Sequence, residues 1–453
     1  MISVDNTFVS KFINDNESYI LQCVKDLSKC RKSLTKKYPK KFKLSKKEIK
    51  FCDKLYDERK RLIEMGKNEM INFVTNEMKN EPYIIYWHSF EINNLKKIGE
   101  EKFKDTAEKN NIINEINKKY LLNIQCDNTI LDSKNRIEFK DGSYESNNFI
   151  IDLNNKYSLN IQNDKKTLIE ILDEADKQLD FDFKKINEVM SLMFNYKTFS
   201  TEYSFEKPKE GTKAEEGTKA NIKLNLACLF VLESKLKCCP YCNRAFIETY
   251  DKNMKRTATL DHYFPQSLYP FFAISPWNLI PSCYSCNNIK RNPNTMENPH
   301  FYPYEWIDPM ALYFEVVPKD KKINYESFDY SDTKKFKVII KPEESSMTNE
   351  AQQSKNTFHL EQLYQNNKET VTAIYELLRF KGEEFFDEIS RYFINDDDVS
   401  KEALQKIHEK TQDFLYIRKR MIFPYGEKGL LGKLSKDILD FFTTINKKNN
   451  ILN

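Results

Sequence analysis

Cys239-Pro-Tyr-Cys242, Thr257-Ala-Thr-Leu-Asp261-His262-Tyr-Phe-Pro265, Trp277-Asn278-Leu-Ile-Pro-Ser282 and Cys283-Tyr-Ser-Cys286-Asn287-Asn-Ile-Lys290 follow one another in the middle of the chain. Two C-x-x-C pairs supply four thiolates, the donor set of a closed tetrahedral zinc site with no position left for substrate. The expected ligands of a structural Zn²⁺ are therefore Cys239, Cys242, Cys283 and Cys286. Cys238 stands beside Cys239 and competes with it for that role, and buried free cysteines are the plainer reading of the whole set. The two pairs lie too far apart for a simple zinc ribbon, so folded structure is expected between them. Residues 257–262 alternate like a strand, and adjacent strand residues face opposite ways. Asp261 and His262 can share a site only if the strand ends there, and Tyr263-Phe-Pro265 is a suitable terminator.

Outward from this centre the chain has 453 residues, 40% of them hydrophobic and 13% aromatic, which is enough for two or three domains. Lys and Arg number 72 against 68 Asp and Glu, a net charge of +4 that excludes a strongly polycationic coat protein. Its nine glycines argue against collagen-like and β-helical repeats. The longest apolar run, Leu224 to Leu232, is about half of what spans a bilayer. Met1-Ile-Ser-Val-Asp5 has no secretory pattern, so a soluble, cytoplasmic chain with no membrane partner is expected.

Residues 1–206 read as an N-terminal helical and mixed α+β region. Ser45 and Glu48 form a capping box before a stripe of Ile49, Cys52, Tyr56, Ile63, Met70 and Phe73. Lys25 to Lys50 holds twelve basic residues against two acidic ones, read either as a solvated surface or as a phosphate-contacting one. Strands are expected at Tyr83–Trp87, Ile137–Phe139 and Phe149–Leu153. Residues 207–220, with a tandem Glu-Gly-Thr-Lys-Ala, read as an exposed linker and as the main domain boundary. Residues 221–306 form the central domain, opening on a buried helix near Leu224–Leu236. Residues 307–453 carry two strands, Leu312–Val317 and Phe336–Ile340, and then helical stripes through Leu360, Leu363, Tyr364, Val371, Ile374 and Leu378 and through Leu404, Ile407, Phe414 and Ile417. Gly426 to Lys433 fails the spacing of a phosphate-binding loop, so no nucleotide-binding site of the chain's own is expected.

The Asp261-His262 pair, Asn278 before the second knuckle and the Cys286-Asn287-x-x-Lys290 helix start together resemble the HNH endonucleases, the ββα-metal nucleases, over about residues 238–306. The resemblance implies an α+β, mostly helical protein with a central ββα-metal core stabilised by Cys₄ zinc and flanked by helical N- and C-terminal regions. It implies metal-dependent phosphodiester hydrolysis, on DNA more readily than RNA, leaving 5′-phosphates. His262 would be the general base, Asn278 would orient it, Asp261 and Asn287 would hold catalytic Mg²⁺ or Mn²⁺, and Lys290 would contact substrate phosphate. Asn287 stands where the family also uses His, and an oxygen donor suits hard cations. Singly, Asp261 reads as well as a turn cap, His262 as a core histidine and Asn287 as a helix cap. By analogy alone, a place in bacterial antiphage defence follows, with a separately encoded partner such as an ATPase. The competing class is a zinc-stabilised nucleic-acid-binding or scaffold module that does not cut. His300 reads as a packing residue or as part of the substrate groove.

Overall fold

The computed structural model describes residues 4–37, 43–80, 83–100, 104–120, 129–131, 137–139, 144–161, 168–207, 221–249, 256–305, 312–323, 328–342, 348–379 and 431–448. The chain is α+β and mostly helical, with four two-stranded antiparallel sheets among the described residues. It divides into two compact units, one of residues 20–196 with 266–275, the other of residues 1–19, 197–265 and 276–453.

In the first unit the capping box forms as expected: the Ser45 side chain accepts from the Glu48 N–H and the Glu48 carboxylate accepts from the Ser45 N–H, opening the helix Lys46–Asp57. Its core face is Phe51, Cys52 and Leu55 rather than the expected Ile49, Cys52 and Tyr56. The long stripe breaks into three helices, Lys46–Asp57, Arg59–Glu64 and Lys67–Thr75, the last starting at an N-cap Gly66. Phe51 stacks on Tyr86 with ring centroids 4.9 Å apart. The expected strand at Tyr83–Trp87 is instead the start of the helix Ile84–Gly99. Tyr83, Tyr86 and Phe90 recur at helical intervals and are all buried, so tertiary packing overrides the β-branched and aromatic composition. The same correction applies at Phe149–Leu153, inside the helix Tyr144–Tyr157, where Phe149, Ile150, Leu153 and Tyr157 form the buried stripe. The strand at Ile137–Phe139 does form; as β2 it pairs with β1, Thr129–Leu131. The helix Ile84–Gly99 packs on Leu168–Leu179.

In the second unit β3, Tyr203–Glu206, pairs with β4, Asn221–Leu224. The strands on either side of residues 207–220 thus pair within one unit, and the chain passes between the units at 19/20, 196/197, 265/266 and 275/276; residues 208–220 lie outside the described residues. Asn225 caps the helix Leu226–Ser234, which ends at Lys235 in the left-handed conformation. Phe230 of that helix meets Phe8 and Phe12 at 5.2 and 5.0 Å. β5, Thr259–His262, pairs antiparallel with β6, Leu279–Ser282, in the register His262↔Leu279. The helix Tyr284–Lys290 follows directly and contacts β5. Residues 266–275, in the connection between β5 and β6, group with the helical unit.

β7, Leu312–Pro318, and β8, Phe336–Pro342, pair as the alternating sequence led us to expect. Leu312, Phe314 and Val316 are buried while their neighbours are half-buried. The helices Leu360–Tyr364 and Lys368–Arg379 bury Leu360, Tyr364, Val371 and Ile374. The second expected stripe, Leu404 to Ile417, lies outside the described residues, as does most of the Gly426–Lys433 loop. No helix among the described residues is long and apolar enough to cross a membrane.

Candidate metal centre and the Asp261 network

The first knuckle is a tight turn. The Cys239 N–H donates to the Ala245 carbonyl, the Asn243 N–H donates back to the Cys239 carbonyl, and Asn243 takes a φ of 51° to close the turn. Asparagine tolerates that left-handed backbone better than most side chains. In the second knuckle Cys283 is the N-cap of Tyr284–Lys290, its sulfur accepting from the Cys286 N–H at 3.4 Å. The turn and the helix start bring Cys239, Cys242, Cys283 and Cys286 together, all buried, with their sulfurs within 4.8 Å of one another. A tetrahedron with Zn–S bonds of about 2.3 Å needs sulfurs about 3.8 Å apart. Cys242 and Cys283 already stand at 3.9 Å, so this donor set fits a structural metal such as zinc.

Cys239, not Cys238, is the member of the cluster. Cys238 sits in a backbone bridge with Phe246, and burial pushes its thiol up to about 11. Within the cluster, burial raises the Cys239 thiol, while hydrogen bonding from Cys239 lowers Cys242 and Cys283. Residues remote in sequence brace the first knuckle: the Tyr364 hydroxyl donates to the Cys242 carbonyl at 2.6 Å, and Asn243 accepts from the Leu431 N–H at its carbonyl and the Lys433 N–H at its side chain.

Asp261 lies on β5 with its carboxylate buried at 2% exposure. It accepts from the Tyr241 hydroxyl at 2.7 Å and pairs with the Lys290 ammonium at 2.9 Å. Burial keeps the Tyr241 phenol protonated, and therefore a donor. Tyr241 stands between the two cysteines of the first knuckle and Lys290 one helical turn after Cys286, so both knuckles deliver a group to one carboxylate. Asp261 is thus an ion-paired strand residue, not a turn cap.

Lys290 is placed otherwise than the sequence suggests. Its side chain has no exposed surface; the ammonium donates to Asp261, to the His262 carbonyl at 2.7 Å and to the Tyr263 carbonyl at 3.3 Å. A buried carboxylate on the facing strand demands a counter-charge, and Lys290 supplies it in place of contacting solvent-borne phosphate. Thr295 also donates to the Tyr263 carbonyl.

His262, half-buried, is the last residue of β5, where the strand was expected to stop. Asn278 is fully buried, its side chain accepting from the Phe264 N–H at 2.7 Å and donating to the Phe264 carbonyl at 3.1 Å, while its own carbonyl accepts from the Tyr263 N–H. It thereby fixes the chain just beyond His262. Asn287 is half-buried inside the helix Tyr284–Lys290, and the capping role it was open to belongs to Cys283. Sequence reasoning missed Tyr241 and Thr295; the position of Tyr241 between two ligands was the available signal.

His300 is 1% exposed, with Nε2 2.7 Å from the Thr357 hydroxyl, so it packs and does not line a groove. Burial, with the Lys290 charge adding, pulls its imidazole down to about 4. The unfolded chain, with an ordinary value near 6.5, takes up this proton first, so His300 favours the fold above pH 6.5 and that contribution is lost as pH falls toward 4. The loss amounts to about 3 kcal/mol. Urea titrations at pH 7 and 4.5 should show a larger stability drop in the wild type than in His300→Gln; equal drops would contradict this assignment.

Compared with known proteins, the chain matches no family model, no curated protein and no solved structure.

Proposed function

We propose that the second unit is a metal-dependent nuclease that hydrolyses phosphodiester bonds, DNA in preference to RNA, with His262 as general base. The observation that carries this reading is the placement of His262: a half-buried imidazole at a strand end, held on one side by Lys290 through its own carbonyl and on the other by Asn278 through Phe264. An imidazole titrates near neutral pH, and a fixed main chain keeps it where it can take a proton from water. Asp261 and Asn287 offer a carboxylate and an amide oxygen, the donors a hard cation prefers, and would hold Mg²⁺ or Mn²⁺. When bound, such an ion neutralises charge developing on the phosphate. Asp261 retains lone-pair capacity, since Tyr241 and Lys290 fill only part of what a carboxylate accepts. Antiphage defence with a separately encoded ATPase remains the biological setting we favour by analogy.

The buried Asp261–Lys290 pair favours a second reading, a zinc-stabilised module that binds nucleic acid without cutting, because it already neutralises the carboxylate. Supercoiled plasmid, single-stranded DNA and RNA incubated with the full chain in Mg²⁺, Mn²⁺ or EDTA separate the two. Metal-dependent cleavage supports the nuclease; retention of intact polymer in all three conditions, with binding, supports the module.

A further inference from the structure

The helical unit contains a cavity of about 300 Å³ that the nuclease reading does not use. One wall is the helix Lys46–Asp57, which contributes Lys47 and Lys50; the other walls bring Ile84, Ile85 and His88 from one helix and Tyr157 from the end of another. No carboxylate lines it. The acid nearest in sequence to both lysines, Glu48, is buried, paired with Lys185 at 2.8 Å and engaged by the Ser45 and Asp182 N–H groups. The two lysines therefore supply the formal charge among the residues lining the cavity, while Asp53, one turn beyond Lys50, lines the neighbouring surface with it. The Lys47 ammonium is held in place by donating to the Leu179 carbonyl at 2.9 Å, while Lys50 has no bonded partner among the described residues.

The far side is aliphatic and aromatic, with Ser158 and Gln178 also among its lining residues. His88 and Tyr157 meet edge to face with centroids 5.0 Å apart. The turn after Tyr157 is stapled by Gln178, whose amide accepts from the Asn160 N–H at 2.7 Å and donates to the Asn160 carbonyl at 3.2 Å. Ammonium groups suit a phosphate, and aromatic and aliphatic walls suit the flat face of a base. The volume is at the low end of ligand pockets, which fits a single nucleotide and not a dinucleotide cofactor. The basic tract from Lys25 to Lys50, of which these lysines are the end, draws anions toward this unit.

We infer that this cavity binds a nucleoside phosphate, free or as the 5′-phosphorylated end of a strand, with Lys47 and Lys50 on the phosphate. The site is independent of the nuclease reading, and its test reads binding in EDTA, where cleavage cannot intervene. The full chain is titrated by calorimetry with AMP and adenosine, and by fluorescence anisotropy with one short single-stranded oligonucleotide carrying a 5′-phosphate or a 5′-hydroxyl. AMP should bind and adenosine should not; if only the phosphorylated oligonucleotide binds, and its hydroxyl form does not, the ligand is a strand end. Each of Lys47→Ala and Lys50→Ala should weaken binding about 10-fold, the loss of one charge-assisted contact. Lys50→Ala removes no internal bond, so it reports on the site even if Lys47→Ala loosens the fold. Absence of saturable binding of both phosphorylated probes up to about 1 mM, equal binding of the phosphate and hydroxyl oligonucleotides, or wild-type affinity in Lys50→Ala would overturn the inference.

Discussion

Cys242→Ser, or prolonged chelation of the wild type, should unfold the second unit. Structural zinc sites contribute about 10–16 kcal/mol to folding in small zinc domains, which matches or exceeds the whole net stability of a typical domain. The loss would not stay local. The first knuckle carries Tyr241 to Asp261, and Asn243 and the Cys242 carbonyl anchor the chain at Leu431, Lys433 and Tyr364. Elemental analysis should find one zinc per chain in the wild type and in a Cys238→Ala control, since Cys238 stands outside the cluster. The near-ultraviolet circular dichroism of the buried tyrosines should collapse in Cys242→Ser but not in the control. A Cys242→Ser protein that keeps both zinc and its tyrosine signal would contradict the assignment.

Lys290→Met should destabilise the zinc-loaded protein by about 3–5 kcal/mol, because it strands a buried carboxylate with one remaining donor. Asp261 would keep only the Tyr241 hydroxyl, and the His262 and Tyr263 carbonyls would lose the ammonium that ties them to the knuckle helix. Adding Asp261→Asn to Lys290→Met removes the unpaired charge as well, so the double variant should recover part of the loss. Urea unfolding of wild type, both single variants and the double variant measures the coupling. Strict additivity of the two substitutions would show that the pair does not interact in solution.

The parts of this protein that its sequence announces are those set by local spacing. Four cysteines in two C-x-x-C pairs define a cluster whatever lies between them, and the alternation of Leu312–Val317 and Phe336–Ile340 yields β7 and β8. The Ser45–Glu48 capping box is equally local. What composition misplaced depends on distant partners. Tyr83–Trp87 and Phe149–Leu153 are rich in strand-forming residues, yet each becomes a buried helical stripe. The pairing of β3 with β4 on either side of segment 207–220 is likewise a long-range fact that composition does not carry. Lys290 reads as an exposed cation until Asp261, on a strand 29 residues away, is brought beside it. The Asp261–His262 pair was legible as a strand end; the Tyr241 and Lys290 that frame it were legible only as neighbours of the cluster cysteines.

We propose that His262 takes the proton from the attacking water. This role is tested most directly by single-turnover cleavage of supercoiled plasmid in Mg²⁺, with wild type and His262→Ala loaded with zinc and compared side by side. The variant should keep its zinc and its fold and cut about 10²-fold more slowly or worse. Equal rates in the two proteins would contradict it.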